Sequence, residues 1–185
     1  MYYVIYSDMI DKLVLMFQSD YLRNFSLTCL VEIASLPIDP KDEAQKNKYL
    51  FMLQRVTEEL NKLISVENEE EKIQAILTSV KKKNRNIFEV LARGIANFYS
   101  EFFKSQHSWL EAAVAGNDQA IRVCHHGFRY LLMMMKVEEE QVFKITIDFF
   151  HFYIAHVLEA NSRGETSFGG LSYGSKGPSL DQIYQ

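Results

Sequence analysis

Helix-breaking residues are sparse along most of this chain. Pro occurs only at positions 37, 40 and 178, and five of the eight Gly fall between Gly164 and Gly177. A body with so few breakers cannot be divided into short strands and tight hairpins, so it favours long helices. Apolar residues recurring three and four apart place those helices. The first covers about Val4 to Phe17, with Ile10, Leu13, Val14 and Phe17 on one face. The second covers about Tyr21 to Leu36, with Leu22, Phe25, Cys29, Leu30 and Ile33. Pro37 and Pro40 forbid its continuation, since Pro lacks a backbone N–H and restricts the residue before it.

Asp39 to Glu43 reads as a cap and acidic first turn for a third helix, about Lys41 to Val66. A short amphipathic helix with Ile73, Ile76, Leu77 and Val80 follows. The next helix covers about Asn86 to Ser105, and His107 to Ala115 reads as a short turn or helix around Trp109 and Leu110. Gly116-Asn117-Asp118 is a stop followed by a cap. It opens a helix over about Gln119 to Lys136. Glu138-Glu139-Glu140 opens the last long helix, which runs to about Asn161. Residues 162–185 are Gly- and Ser-rich and read as a loop.

The last helix constrains the architecture further. Val142, Phe143, Ile145, Ile147, Phe149, Phe150, Phe152, Ile154, Val157 and Leu158 cover most of its circumference. A helix apolar nearly all round must be buried on several sides, yet the sequence offers no helix to cover its flank toward Gln185. The chain is therefore expected to continue beyond that flank. Two hairpins can be drawn, Tyr21–Leu36 with Lys41–Val66 and Asn86–Ser105 with Gln119–Lys136. The expected fold is all-α, a HEAT-repeat superhelix of antiparallel hairpins over 1–161 followed by a loop over 162–185. The unit spacing exceeds the roughly 40–47 residues of simple HEAT units.

Composition narrows the function classes. Hydrophobic residues make up 48% and the formal net charge is −4. A nucleic-acid surface needs concentrated Lys and Arg, and the one basic run, Lys81 to Lys83 with Arg85, reads as a solvated turn. No apolar stretch approaches the roughly 20 residues of a membrane helix. Cys29 and Cys124 give neither a metal framework nor a disulfide pattern, and read as buried reduced thiols.

Sites for chemistry are equally scarce. His125 and His126 are adjacent and so point about 100° apart on a helix. His151 and His156 are five apart, which misses the four-residue spacing of a helical metal pair. Asp148-x-x-His151 occurs once, whereas di-metal bundles use a Glu version twice. No phosphate loop or nucleophile elbow is present, so no enzyme activity and no cofactor are expected. Met133-Met134-Met135 reads as gap-filling core, and Trp109 as the anchor of a connection.

Three stretches resemble one family. Arg23-Asn24-Phe25-Ser26-Leu27-Thr28-Cys29-Leu30-Val31-Glu32-Ile33-Ala34 is similar to a helix of exportin-1 type nuclear export receptors that begins with Arg-Asn and carries Cys-Leu and Glu-Ile-Ala. Val137 to Ile145 resembles the acidic start of a later HEAT helix in that family, and Phe128 to Met133 sits where the family has the preceding apolar helix. The resemblance spans nearly all of Ile5 to Asn161, while Asn47 to Val80 matches only in helical character. It implies a transport receptor of the importin-beta superfamily. Such a receptor binds leucine-rich export-signal cargo together with the GTP-bound Ran GTPase, meets nucleoporins, and shuttles between nucleus and cytoplasm through the nuclear pore.

The segment would lie in the receptor's N-terminal half, and the export-signal groove with its reactive cysteine would lie beyond Gln185. Residues 162–185 would occupy the position of the family's intra-repeat loop, which couples Ran to the groove. Here that loop is neutral and Gly-rich rather than acidic. Glu138, Glu139, Glu140, Arg163, Glu165, Lys176 and Asp181 are the candidate partner contacts. A HEAT scaffold unrelated to Ran and a helical-bundle enzyme or metal protein are the competing readings.

Overall fold

The computed structural model describes residues 3–63, 85–114 and 117–162. Among them the chain is all-helical: α1 (Tyr3–Phe17), α2 (Arg23–Ser35), α3 (Glu43–Leu63), α4 (Arg85–Val114), α5 (Asp118–Met134) and α6 (Glu140–Ser162). The short helix expected around Ile73 to Val80 and the Gly-rich loop from 163 onward lie outside the described residues.

Local chemistry sets the helix starts. Asp42 Oδ1 accepts the backbone N–H of Gln45 at 3.0 Å and caps α3, within the Asp39–Glu43 stretch read as cap and first turn but two residues later than the expected start at Lys41. The side chain of Asn117 accepts the N–H of Ala120 at 3.0 Å and caps α5. At α6, Glu139 Oε2 accepts the N–H of Val142 at 2.6 Å. Each cap satisfies a donor that the first helical turn leaves orphaned.

The helices stand in two rows. One row runs α1, α3, α5 and the other α2, α4, α6, each helix packing on the next in its row. The rows meet through α1 against α2, and through α5 against both α4 and α6. The hairpin expected between α4 and α5 is present. The expected pairing of α2 with α3 is not the main contact of either helix: α2 packs chiefly on α4 and α1, and α3 on α5 and α1. The reason is burial. Ile95, Phe98, Tyr99, Phe102 and Phe103 give α4 a continuous aromatic-rich face, and all five are at most 1% exposed. The extended backbone at Leu36, ahead of Pro37, carries the chain across to the other row.

A second correction concerns α4 itself. It runs unbroken to Val114, with no turn at His107. Gln106, Trp109 and Leu110 keep the three-and-four spacing of its buried face, and all are at most 2% exposed. Trp109 therefore sits inside a helix rather than anchoring a connection. Its Nε1 donates to Gln106 Oε1 at 2.9 Å. Gln106 Nε2 in turn donates to the carbonyls of Ala34 and Leu36, both at 2.9 Å. Tyr49 of α3 donates its hydroxyl to the Ile33 carbonyl at 2.9 Å. Two side chains from other helices thus satisfy the orphaned carbonyls at the C-terminus of α2.

Aromatic rings fill the centre. Tyr99 stacks on Tyr130 at 5.4 Å, and Phe103 stacks on Phe128 at 4.7 Å. Two buried phenol hydroxyls are paired, Tyr99 with Thr57 at 2.9 Å and Tyr130 to Asn61 Oδ1 at 2.8 Å, whereas the buried Ser100 Oγ has no hydrogen-bond partner among the described residues. Burial drives both phenols well above their ordinary range. Gly127 is required here, because a Cβ would stand 2.7 Å from the Phe103 ring and 2.8 Å from the Tyr99 ring. Met133 and Met134 are core, as the sequence indicates. Cys124 is fully buried, and burial pushes its thiol up to about 12. Cys29 is half-buried rather than buried, and both thiols are free.

Candidate functional site

The feature that stands apart is a face of α6. Its inner side is fully engaged. Phe149 lies 5.9 Å from the Phe103 ring of α4 and 5.7 Å from Phe128 of α5. Tyr153 lies 5.0 Å from Phe128. Further along, Phe152 and His156 meet His107 of α4 at 5.5 and 4.9 Å, and His156 Nε2 is 3.3 Å from Glu111 Oε1. Thr146, buried on this side, returns its hydroxyl to the Val142 carbonyl at 3.0 Å and so leaves no polar group unpaired. Burial, and then the Glu111 charge, raise the Tyr153 phenol above its usual value.

The opposite side carries large apolar side chains in the open. Phe143, Ile147, Ile154 and Leu158 are 47%, 40%, 55% and 63% exposed. Successive helical residues turn by about 100°, so a two-residue step turns by about 200°. Ile147 precedes Phe149 by two, Ile154 follows Phe152 by two, and Leu158 follows His156 by two. Ile147, Ile154 and Leu158 therefore each lie roughly opposite a residue that touches α4. Lys144, Asp148, His151 and Glu159 form a separate polar strip beside this stripe.

The other end of the same row has a matching feature. Leu27 of α2 lies against Gly94 of α4. Phe25, two residues earlier, is 62% exposed, with Leu22 and Leu36 also exposed and Cys29 half-buried beside them. This stripe too points away from α4. From the sequence, Leu22, Phe25 and Cys29 were expected with Leu30 and Ile33 on the packing stripe of α2, whereas the structure buries Leu27, Leu30, Ile33 and Ala34 and leaves Leu22 and Phe25 exposed, because α4 and α1 cover the face centred on Leu27 and Leu30.

The acidic candidates separate into different roles. Glu139 is used structurally: besides its cap, Oε1 pairs with Arg93 of α4 at 3.1 Å. Its side chain is only 13% exposed, so it is an unsuitable partner contact. Glu140 is exposed and pairs with Lys144 at 2.5 Å. The hydrogen bond and charge of Lys144 hold the Glu140 carboxyl below its ordinary value, and Glu140 raises Lys144 in the same way. Glu138 is exposed at the same helix start. Arg163, Glu165, Lys176 and Asp181 lie outside the described residues.

The cross-helix pairs Arg93–Glu139 and Glu111–His156 were not foreseen, because residues 46 and 45 positions apart carry no local signal. His151 and Asp148 are both exposed on the polar strip. Among the described residues no group of three His, Cys, Asp or Glu side chains could hold a metal ion, and no helix is long and apolar enough to cross a membrane. A shallow hollow between α3 and α5 is lined by Asn47, Phe51, Gln54 and Gln119, which are amides around an aromatic ring.

No protein-family model matches the chain, and no curated protein matches it.

Proposed function

We propose that this chain is an interior stretch of a HEAT-type α-α superhelix and serves as scaffold in a nuclear export receptor of the exportin-1 type. The observation that carries the reading is the apolar stripe Phe143, Ile147, Ile154 and Leu158, exposed on the side of α6 opposite α4. A further helical hairpin laid on that stripe would bury it as α6 buries the corresponding side of α4. The Arg23–Ala34 and Val137–Ile145 resemblances supply the receptor family.

In this reading the receptor does no covalent chemistry and needs no cofactor. Export-signal cargo and GTP-bound Ran each favour the same curvature of the superhelix, so each raises the affinity for the other. The segment supplies rigid stacking, with the export-signal groove lying elsewhere in the receptor. Glu138 and Glu140 are the exposed acidic residues at the start of α6 for a basic partner to meet, and Arg163, Glu165, Lys176 and Asp181 are the charges of the coupling loop. The receptor shuttles between nucleus and cytoplasm and meets nucleoporins on the way.

The test is cargo binding by the whole receptor carrying this segment, with Ran loaded with GTP or with GDP. Tight binding of a leucine-rich export peptide only with the GTP form is the expected result. Equal binding, or none, with the two forms would leave a HEAT scaffold unrelated to Ran. Deleting residues 162–185 is expected to weaken the dependence on Ran while leaving the helical content unchanged.

A further inference from the structure

Helix α5 turns one face away from its packing partners, and that face is basic. Cys124 is fully buried, and Gly127 faces α4, where a Cβ would stand 2.7 Å from the Phe103 ring. A two-residue step turns a helix by about 200°. Arg122, two residues before Cys124, and Arg129, two after Gly127, therefore lie on the opposite side. Both are exposed, as are His125 between them and Leu132 beyond them. Positions 122, 125, 129 and 132 step by three, four and three, so they form one straight stripe within α5. At 1.5 Å rise per residue it is about 15 Å long.

The charge on this stripe is unanswered. Arg23, Arg55 and Arg93 each hold a carboxylate, that of Asp20 at 2.8 Å, Glu58 at 2.9 Å and Glu139 at 3.1 Å. Among the described residues Arg122 and Arg129 hold none. Asp118 is the one acid in α5 and sits in its first turn, where the helix dipole favours it. In a chain of net charge −4, this outer face is a local excess of cations. A guanidinium carries five donors in a rigid fork that matches a carboxylate.

We infer that the stripe docks an acidic amphipathic helix of a partner protein, with carboxylates seven residues apart on Arg122 and Arg129 and an apolar side chain on Leu132. Seven residues span about 10.5 Å in any α-helix, so carboxylates at that interval meet both arginines at once. Ion pairs of this kind set partner choice and orientation between paired helices. Leu132 in the same line is an apolar anchor that a phosphate backbone cannot use. Two arginines are also far fewer than the roughly 6–10 phosphate contacts of a nucleic-acid binder. The inference stands on the surface of α5 and not on the export reading.

The test is fluorescence anisotropy of labelled helical peptides of about 20 residues, long enough to cover the stripe, titrated with the 185-residue chain. One peptide carries two Glu seven residues apart, with Leu on the same face beyond each, on an Ala-rich body; a second carries Lys for both Glu. The Glu peptide should bind, and the Lys peptide should not. Binding should weaken with salt, because the screening length shrinks from about 10 Å at 0.1 M to about 3 Å at 1 M. Arg122→Glu and Arg129→Glu should each weaken binding by about tenfold or more, since attraction becomes repulsion. Lys12→Ala, on the exposed side of α1, should leave it unchanged. Against Arg129→Glu, a peptide with one of its two glutamates exchanged for lysine should recover most of the lost affinity, which a misfolded variant could not show. Failure of the Glu peptide to bind, equal binding of the two peptides, or unchanged binding in both arginine variants would overturn the inference. So would tighter binding of duplex DNA than of the Glu peptide, which would make the stripe a phosphate surface. Neither Ran nor cargo enters the experiment, so its failure is distinct from failure of the export reading.

Discussion

Helices α4 and α6 are built from the same kind of sequence and have different fates. Each carries a polar strip, with Arg93 and Ser108 exposed on α4, and Lys144, Asp148, His151 and Glu159 exposed on α6. Around the rest of both, large apolar and aromatic residues crowd the circumference. On α4 the aromatic residues are covered, because α2, α5 and α6 all pack on it, and Val90 is left exposed. Among the described residues α6 packs chiefly on α4 and α5, and Phe143, Ile147, Ile154 and Leu158 stay exposed. The difference among the described residues is one packed helix fewer on α6.

Four substitutions sharpen or break that comparison. Phe103→Ala should be the most damaging. Phe103 is 1% exposed and meets Phe128 and Phe149, so its loss should cost about 3–5 kcal/mol in urea denaturation. A cost below about 1 kcal/mol would mean that α4 is not the centre of the packing. Gly127→Ala comes next, at about 1–3 kcal/mol, because the new methyl must displace the rings of Phe103 and Tyr99. Thermal melting of this variant should show the loss with helical circular dichroism preserved in the folded state.

Glu139→Ala should cost about 1 kcal/mol, since it removes the α6 cap. Its ion pair with Arg93 adds little, because Arg93 is 44% exposed and water screens the charge. Hydrogen exchange should report that loss as faster exchange at the first turn of α6. Ile147→Ser should lie within about 0.5 kcal/mol of the parent chain. A larger loss would show that the α6 stripe is covered in solution, and the contrast with α4 would fail.

Individual residues show how much was legible beforehand. The caps at Asp42 and Asn117 were readable because a cap is a local event, fixed by a side chain within three residues of the N–H it accepts. The buried stripe of α1, with Ile10, Leu13, Val14 and Phe17, followed from spacing alone. The end of α4 was misread. From the sequence it was expected to end near Ser105, with His107 to Ala115 a separate short turn or helix, but no Gly or Pro lies between Gly94 and Gly116 to stop the helix. Gln106, on which the sequence carries no signal, is fully buried, because the carbonyls of Ala34 and Leu36 at the C-terminal end of α2 and one indole N–H complete its hydrogen bonds. Of the acidic triplet, the position of the helix start was legible. That Glu139 would be spent on a cap and a bond to Arg93 was not.

By itself the sequence determined that the body is helical, where its stripes run, and that the last helix is too apolar to stand with one neighbour. Those properties follow from spacing and composition, which every residue carries locally. Only the tertiary structure decided that α2 chooses α4 over α3, that Tyr99 and Phe103 demand a glycine opposite them, and that the open side of α6 faces directly away from α4. Such choices depend on competition among surfaces far apart in the chain, where the helix that buries the most apolar area takes the contact.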